Sequence, residues 1–212
     1  IIDVFRAFTV EPIIIKNGAK KLIVIGDKEI AYNLKKENSN YILIGERNGI
    51  KLPEFDYGNS PLQIEKIDFT NKVGVHTTSC GTQGIVNSIN AKEIITGSLV
   101  NISAIVKYIR NRGYDDISIV TLAKQGSNPF EEDKLCAEYI KAKLENKLTD
   151  EFNARISNLR YTSGAKFFDD ELQEIYPKED FYLCTDIDKY DFVLRAEKDK
   201  KGYYYMEKIL VE

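Results

Sequence analysis

The sequence predicts an α/β protein with three layers (α/β/α), in which helices cover both faces of a mostly parallel or mixed central sheet. Apolar, β-branched runs at 21–26, 41–44 and 72–75 have the length and composition of buried strands. Segments with helical spacing alternate with these runs, as is typical of parallel sheets. With 212 residues and 43% hydrophobic content, the chain can bury a substantial core. We therefore expect one domain over residues 1–212, with 150–212 as a smaller subregion.

The first half of the chain begins with an apolar run that predicts a short buried strand. Because this run opens on Ile1 without a methionine, we expect further residues upstream. Val10, Ile13 and Ile14 then have helical spacing, and Gly18 has a position that ends a helix. Taken in order, the predicted strands are 1–5, 21–26, 41–44 and 72–75, and the predicted helices are 9–17, 28–38 and 85–89.

The second half of the chain continues the alternation and ends in strands. The continuous β-branched run at 117–122 predicts a central strand, and 180–185 fits either a helix or a strand. The tyrosines at 203–205 predict an edge strand or a subunit contact, which leaves a homo-oligomer open. The other predictions are strands at 93–96, 192–196 and 203–210, helices at 103–110 and 130–144, and a helix with a loop at 150–170.

Composition excludes several classes of protein. The 33 acidic and 30 basic residues give a net charge of −3, which argues against a broad nucleic-acid footprint. No apolar run reaches the roughly 18 residues of a membrane span. The three cysteines Cys80, Cys136 and Cys184 lie far apart, which disfavours a disulfide framework and a zinc knuckle. We expect a cytoplasmic protein that binds neither nucleic acid nor membrane, with Cys136 and Cys184 as buried apolar side chains.

The segment 75–84 is the clearest candidate for a ligand loop. An apolar strand gives way there to hydroxyl side chains and two glycines before the next apolar segment begins. Such a loop directs backbone N–H groups and a helix dipole outward, which suits an anion. Gly81 would let the backbone approach the anion, while Thr77, Thr78, Ser79 and Thr82 supply hydroxyl groups. An ordinary polar turn is the alternative.

Charged residues also gather where predicted strands end. The carboxylates available there belong to Asp3, Glu46, Glu132 and Asp133, and the guanidinium groups belong to Arg6 and Arg47. Loops of this kind lie along one edge of a doubly wound sheet and can form one cleft. His76 is the only histidine and lies inside a predicted strand, so a histidine-dependent triad and a zinc site are both disfavoured. Oxygen ligands beside a phosphate would suit Mg²⁺.

Five sequence blocks occur in order along the chain. They are Asp-Val-Phe-Arg-Ala at 3–7, Gly-Glu-Arg-Asn-Gly at 45–49, Phe-Asp-Tyr-Gly-Asn-Ser-Pro at 55–61, Thr-Thr-Ser-Cys-Gly-Thr at 77–82 and Gly-Ser-Leu-Val-Asn-Ile-Ser-Ala at 97–104. Together these blocks resemble the 2-phosphosulfolactate phosphatase family. The resemblance extends through Glu132-Asp133 and the segment 180–191, and so covers nearly the whole chain. It implies an α/β/α, magnesium-dependent phosphatase that releases phosphate from (2R)-phosphosulfolactate in coenzyme M biosynthesis.

On this basis we assign roles as hypotheses. Asp3 and Glu46 hold Mg²⁺ together with Asp133, because an acid at the end of an apolar strand is costly to bury without a cation. Arg6 and Arg47 bind phosphate or sulfonate, although Arg6 could instead be the salt-bridge partner of Asp3. With Asp3 and Glu46, the two arginines form the catalytic set. The predicted substrate-binding residues are Asn48, Asn59, Ser60, Thr77, Thr78, Gly81, Thr82, Ser98 and Asn101.

Three departures from the family pattern leave alternatives open. Phe8 replaces a small hydroxyl residue, Cys80 replaces an asparagine, and Lys124 follows Ala123 where Ala-Gly is usual. Cys80 could act as a thiolate nucleophile at a helix N-terminus, but metal-activated water needs no thiol. We expect the partner to be a small anionic phosphoester. The alternatives are a non-catalytic protein that binds a phosphorylated metabolite and, less favoured, a structural or assembly protein.

Overall fold

The computed structural model describes residues 1–114, 116–123 and 127–211, and it has the predicted α/β architecture. Within these ranges there are seven strands and eight α-helices. The strands are β1 (Lys21–Val24), β2 (Ile42–Arg47), β3 (Ile50–Lys51), β4 (Val73–Thr77), β5 (Ile95–Thr96), β6 (Phe192–Lys198) and β7 (Tyr204–Leu210). The helices are α1 (Ala7–Lys16), α2 (Lys28–Glu37), α3 (Pro61–Ile64), α4 (Gly81–Asn87), α5 (Ile102–Arg112), α6 (Glu131–Leu144), α7 (Glu151–Asn158) and α8 (Lys178–Cys184).

The strands form one mixed sheet in the order β3-β2-β4-β1-β7-β6-β5. Strand β4 pairs in parallel with both β1 and β2, with Gly74 opposite Leu22 and Ile42. The other pairings are antiparallel, because β6 and β7 form a hairpin and β7 joins the sheet beside β1. Of the two sheet types that the sequence allowed, the mixed sheet is therefore the one observed.

Both faces of the sheet are buried, which confirms the three layers. Leu22 and Val24 belong to a core cluster with α1, whereas the alternate residues Ile23 and Ile25 pack with α2 on the opposite side. This alternation is expected because successive side chains of a strand point to opposite faces. A third cluster gathers α5, α6, α7 and α8, and Val4 joins it, so that the C-terminal helices pack close to the start of the chain.

The prediction of a central strand at 117–122 is wrong. Only Thr121 bridges to Ile2, and the Ile2 backbone N–H donates to the Val120 carbonyl oxygen at 2.8 Å. Ile117 and Val120 are each 43% exposed, so this β-branched run lies at the margin of the sheet. The predicted strand at 1–5 is likewise reduced to bridges at Ile2, which pairs with Gly97 as well as Thr121.

The last strands also differ from one prediction. Tyr204 lies in β7, which has a neighbour on each side, so the tyrosine run does not form an edge strand. The segment at 180–185, for which a helix or a strand was open, falls on the helix α8. Lys124 lies outside the described residues. In the described part of the chain, no helix combines the length and the apolar character needed to cross a membrane.

Candidate active site

Loops from the start of the chain, from β2 and from β4 meet at one edge of the sheet. Glu46 joins two of them: its Oε1 accepts the Ser79 backbone N–H at 2.7 Å, and its Oε2 accepts the Ser79 hydroxyl at 3.0 Å. Asp3 borders the loop after β4, because a Cβ on Gly81 would lie 2.7 Å from Asp3 Oδ2. Gly45 has its backbone against the Thr77 carbonyl, where a Cβ would not fit. The structure therefore brings Asp3 and Glu46 together with the loop after β4.

Asp3 is 8% exposed and lies among other carboxylates. Burial raises the pKa of Asp3 to about 7, because desolvation disfavours the charged form, and the charges of Glu46 and Glu132 act in the same direction. The Ala7 N–H donates to Asp3 Oδ1 at 3.1 Å and opposes only part of this rise. At neutral pH, Asp3 is therefore a group that a proton and a cation would compete for.

Glu132 belongs to this site; the sequence placed it among the available carboxylates, but we gave it no role there. Its side chain is 2% exposed, and its Oε2 is buried without a hydrogen-bond partner. Three successive acids open α6, at 131–133, and good helix chemistry is enough to explain acids in a first turn. What distinguishes Glu132 from the exposed Glu131 is its burial, which the helical spacing alone does not reveal. A buried, unpartnered carboxylate oxygen is costly and marks a place for a cation or a donor.

Asp133 lies near Asp3 and Glu132, but one of its carboxylate oxygens already accepts a hydrogen bond from the backbone. Its Oδ1 accepts the Val4 N–H at 2.7 Å, and burial, followed by the charges of Asp3 and Glu132, holds the pKa of Asp133 well above its usual range. Across the described ranges, no three His, Cys, Asp or Glu side chains are grouped closely enough to hold a metal ion. Asp3, Glu46 and Asp133 thus share a neighbourhood but do not form a ready three-carboxylate cage.

Arg6 is buried and forms its ion pair with Asp180, not with Asp3. Its Nη1 donates to Asp180 Oδ2 at 2.8 Å and to the Ile175 carbonyl oxygen at 2.8 Å, and its guanidinium lies 4.8 Å from the Tyr176 ring centre. The suggestion that Arg6 pairs with Asp3 is therefore wrong. Burial raises the pKa of Asp180 even though the Arg6 charge opposes this rise.

Asp180 also fastens the predicted residue Ser60. The Ser60 hydroxyl donates to Asp180 Oδ1 at 2.9 Å, and the Leu62 N–H donates to the same oxygen at 2.8 Å. This carboxylate thus fixes the start of α3, where Ser60 is the N-cap residue. In the sequence Asp180 appeared only within a resembling block, without a role, because its partners are 118 or more positions away.

Arg47 is directed away from Asp3. Its Nη1 donates to the Glu46 carbonyl oxygen at 2.7 Å, and its Nη2 donates to the Gly26 carbonyl oxygen and to Thr77 Oγ1, both at 2.9 Å. Arg47 lines a separate open cleft of about 640 Å³ at the end of β1, and neither Asp3 nor Arg6 lines that cleft. The two arginines that the sequence placed in one pocket are thus apart: Arg47 lines this cleft, whereas Arg6 is buried against Asp180.

The hydroxyl groups of the loop after β4 brace the loop itself. The Thr78 N–H donates to Thr82 Oγ1 at 2.8 Å, and the Thr82 N–H donates to Thr78 Oγ1 at 3.1 Å. Thr77 Oγ1 is occupied by Arg47. The Asn48 N–H donates to Ser79 Oγ at 2.9 Å, which attaches the β2–β3 turn to the same loop.

The remaining predicted polar residues are buried and paired within the protein. Asn59 Oδ1 lies 3.3 Å from His76 Nε2, and His76 Nδ1 lies 3.1 Å from Glu11 Oε1. Ser98 caps the turn at 99–101: its backbone N–H donates to Asn101 Oδ1 at 3.3 Å, and its hydroxyl meets the Thr9 hydroxyl at 2.9 Å. Ser98 and Asn101 therefore stabilise the fold beneath the cleft.

Two of the departures from the family pattern have defined places. Phe8 is 1% exposed and packs in the core around α1, and its ring edge lies close to Gly81 at the loop after β4. Cys80 is partly exposed and is the N-cap residue of α4. Cys136 and Cys184 are buried, as predicted, and burial raises the pKa of both thiols well above the usual range.

The C-terminal third of the chain supplies two further groups that the sequence patterns did not indicate. Lys166 lies among the rings of Phe5, Phe167 and Tyr176, with its Nζ 5.2–5.7 Å from their centres. The Tyr176 hydroxyl lies against Gly49, where a Cβ would not fit. The segment 165–176 therefore packs against the β2–β3 turn through Tyr176 and brings Lys166 close to Phe5.

Buried carboxylates, a hydroxyl-rich loop and nearby cations lie at the edge of the three-layer sheet, which is where α/β enzymes commonly bind their substrates. The sequence pattern of the 2-phosphosulpholactate phosphatase family matches residues 1–199. A protein of Thermoplasma volcanium named "Probable 2-phosphosulfolactate phosphatase" is 39% identical over 150 residues, which cover 71% of this chain and 69% of that protein.

Two further proteins with the same name match over longer stretches. The Bacillus subtilis protein is 29% identical over 199 residues, which cover 94% of this chain and 86% of the relative. The Caldanaerobacter subterraneus protein is 32% identical over 91% of this chain and 85% of its own length. The chain belongs to the 2-phosphosulpholactate phosphatase family, a family of phosphoric monoester hydrolases.

Proposed function

We propose that this protein is a magnesium-dependent phosphatase that hydrolyses (2R)-phosphosulfolactate to sulfolactate and phosphate. The observation that carries the proposal is the set of buried carboxylates at the sheet edge: Glu132 has an oxygen without a partner, and Asp3 has a raised pKa beside it. The family and the names of the related proteins support the identity of the substrate. The location in the cytoplasm and the place in coenzyme M biosynthesis stay predictions.

The donor set fits a hard divalent cation. Mg²⁺ prefers oxygen ligands and usually takes only one or two carboxylates, with waters completing its shell. Asp3 and Glu132 are the residues that would hold it, with Glu46 adjacent; Asp133 Oδ1 is already used by Val4. A bound Mg²⁺ would neutralise phosphate charge and lower the pKa of a water molecule.

The chain's own residues position the substrate around that cation. The Ser79 N–H and hydroxyl, together with the Gly49 N–H, hold the Glu46 carboxylate in a fixed orientation. Asp180 holds Arg6, whose Nη2 reaches the Gly49 carbonyl oxygen at 3.4 Å and fixes the β2–β3 turn over the site.

Phosphate release from (2R)-phosphosulfolactate, measured with Mg²⁺ and after chelation, tests the proposal. We expect turnover with Mg²⁺ and its loss on chelation, and Asp3→Asn should abolish turnover while the far-UV circular dichroism stays unchanged. Asp170→Asn, an exposed acid outside the cleft, is the matched control. If ligands stabilise the protein but no phosphate is released, the non-catalytic binding protein replaces the phosphatase; if small anions do neither, the structural role replaces both.

A further inference from the structure

Lys166 is a cation without an ionic partner, and it lies close enough to Glu132 and Asp3 for their charges to act on it. Arg6 has Asp180, and Arg47 has three protein acceptors, whereas Lys166 Nζ makes neither an ion pair nor a hydrogen bond within the described ranges. Lys166 is only partly exposed, and burial lowers the pKa of its ammonium group. A largely desolvated ammonium group without an ionic partner lowers the free energy of unfolding. A lysine with a purely structural role would not need to carry this cost.

The surroundings of Lys166 hold the ammonium group in place without neutralising it. Phe5, Phe167 and Tyr176 surround its Nζ at 5.2–5.7 Å, which is cation–π distance. The charges of Glu132 and Asp3 act on it, and so does the like charge of Arg6. Glu132 Oε2 is itself unpartnered, yet the two opposite charges do not meet. Both groups are therefore uncommitted within the described part of the protein, and they lie close enough for their charges to interact.

We propose that Lys166 binds an anionic group of the substrate other than the phosphoryl group that is transferred. This inference rests on the proposed function, which places phosphoryl transfer beside Asp3, Glu46 and the loop after β4. A phosphorylated sulfolactate carries a sulfonate and a carboxylate in addition to its phosphate, and carboxylates already crowd the side of the cleft that holds Asp3. Lys166, beside the already paired Arg6, provides the positive charge for this anionic tail.

The proposal makes Lys166 a specificity residue for phosphomonoesters with a second anion. An uncharged tail would leave the ammonium group desolvated and unpaired, whereas a sulfonate or a carboxylate would form a charge-assisted hydrogen bond with it. Lys166 would bind a small oxyanion, which is either the tetrahedral sulfonate or the planar carboxylate of the substrate. Compounds that carry only one of these two groups separate the two cases.

Isothermal titration calorimetry without turnover tests the proposal. The probes are 3-sulfolactate, isethionate (sulfonate only), lactate (carboxylate only) and inorganic phosphate, each with the wild-type chain, Lys166→Met and Lys166→Arg. We expect Lys166→Met to weaken 3-sulfolactate roughly tenfold to hundredfold and to leave phosphate binding within about twofold. Lys166→Arg should retain most of the affinity. The probe whose affinity falls, isethionate or lactate, identifies the group that Lys166 binds.

Lys178→Met is the matched control, because Lys178 is exposed and its Nζ lies over Phe168 outside the cleft. Lys166→Met should unfold at the same temperature as the wild type or higher, since it removes a desolvated charge. The proposal is wrong if the wild type does not bind 3-sulfolactate, or if Lys166→Met weakens phosphate and 3-sulfolactate equally. Turnover by the wild type with unchanged tail binding in Lys166→Met would leave the phosphatase standing and remove only this role.

Discussion

Asp3 is a buried carboxyl group whose ionisation destabilises the folded chain. Its pKa is about 7 in the folded chain because of burial and neighbouring carboxylates, and about 3.8 without them. Between these values the folded state holds a proton that the unfolded state releases, so stability is highest at low pH and is lost as the pH rises toward 7. We predict that Asp3 alone makes the free energy of unfolding of the metal-free chain fall by about 1.4 kcal/mol per pH unit in this window.

Urea unfolding of the metal-free chain between pH 4 and pH 8 measures this slope. Asp3→Asn should reduce the slope by up to about 1.4 kcal/mol per pH unit, because the amide does not titrate. Asp170→Asn, at an exposed position, should leave the slope unchanged. An identical slope in Asp3→Asn and the wild type would show that Asp3 does not titrate in this range.

Glu132 gives a second prediction at the scale of one side chain. Glu132→Gln removes an unpartnered buried charge and one of the like charges that raise the pKa of Asp3. We therefore expect the metal-free variant to be more stable than the wild type by about 1 kcal/mol, with stabilisation by Mg²⁺ reduced. Urea unfolding with and without Mg²⁺ measures both effects.

Glu131→Gln is the control for Glu132, since it changes the same turn of α6 at an exposed position. It should alter the free energy of unfolding by less than about 0.5 kcal/mol and leave the Mg²⁺ effect intact. A loss of stability in Glu132→Gln would mean that its carboxylate has a structural partner in solution.

Between elements, the pair Arg6–Asp180 connects the start of α1 to α8. Both side chains are buried, at 3% and 0% exposure, and lie 2.8 Å apart. Asp180→Asn would leave a buried guanidinium that cannot become neutral by losing a proton, whereas Arg6→Met leaves a buried carboxylate that can become neutral by gaining one. We predict that Asp180→Asn costs about 3 kcal/mol of unfolding free energy, more than Arg6→Met costs at pH 5.

A double-mutant cycle by urea unfolding isolates the coupling of this pair. The double variant should lose less than the sum of the single losses, with a coupling of about 1.5 kcal/mol or more. Glu138→Gln breaks the exposed pair with Arg155 and should cost less than about 1 kcal/mol. Additive losses at Arg6 and Asp180 would show that the pair does not hold the two helices together.

The elements that could be predicted are those whose periodicity is set by burial. Strand β1 alternates between two buried faces, and α5 and α6 fall where apolar spacing places them. The run at 117–122 has the same β-branched composition, but Val120 and Ile117 lie at the sheet margin, a position that composition does not encode. The interior position of β7 depends on a pairing with β1, about 180 residues earlier, which no local pattern indicates.

Across the whole molecule, some residues of the candidate site could be predicted from the sequence and others could not. Asp3, Glu46 and the loop after β4 could be predicted because each follows an apolar run and lies at a strand edge. Lys166 and Tyr176 could not, because they lie in short turns of the C-terminal third and reach the cleft only through tertiary packing. Arg47 resembled Arg6 in sequence context but lines a separate cleft, where the Gly26 carbonyl and the Thr77 hydroxyl, both distant in sequence, accept its hydrogen bonds.

Metal binding should couple the site to the stability of the whole chain. If Mg²⁺ displaces the proton of Asp3, its apparent affinity falls about tenfold for each pH unit below the pKa of about 7. At a concentration 100 times its dissociation constant, Mg²⁺ would stabilise the fold by about 2.7 kcal/mol at pH 8, and at the same concentration by about 1.4 kcal/mol less per pH unit on the acid side of 7.

Urea unfolding at pH 6 and pH 8 with fixed Mg²⁺ measures this difference, and calorimetry in two buffers of different ionisation enthalpy counts the protons released. Equal stabilisation at the two pH values, with no proton release at pH 6, would mean that the cation is held without Asp3. Asp3→Asn should show weak stabilisation that no longer depends on pH, since its amide oxygen binds the ion without competition from a proton.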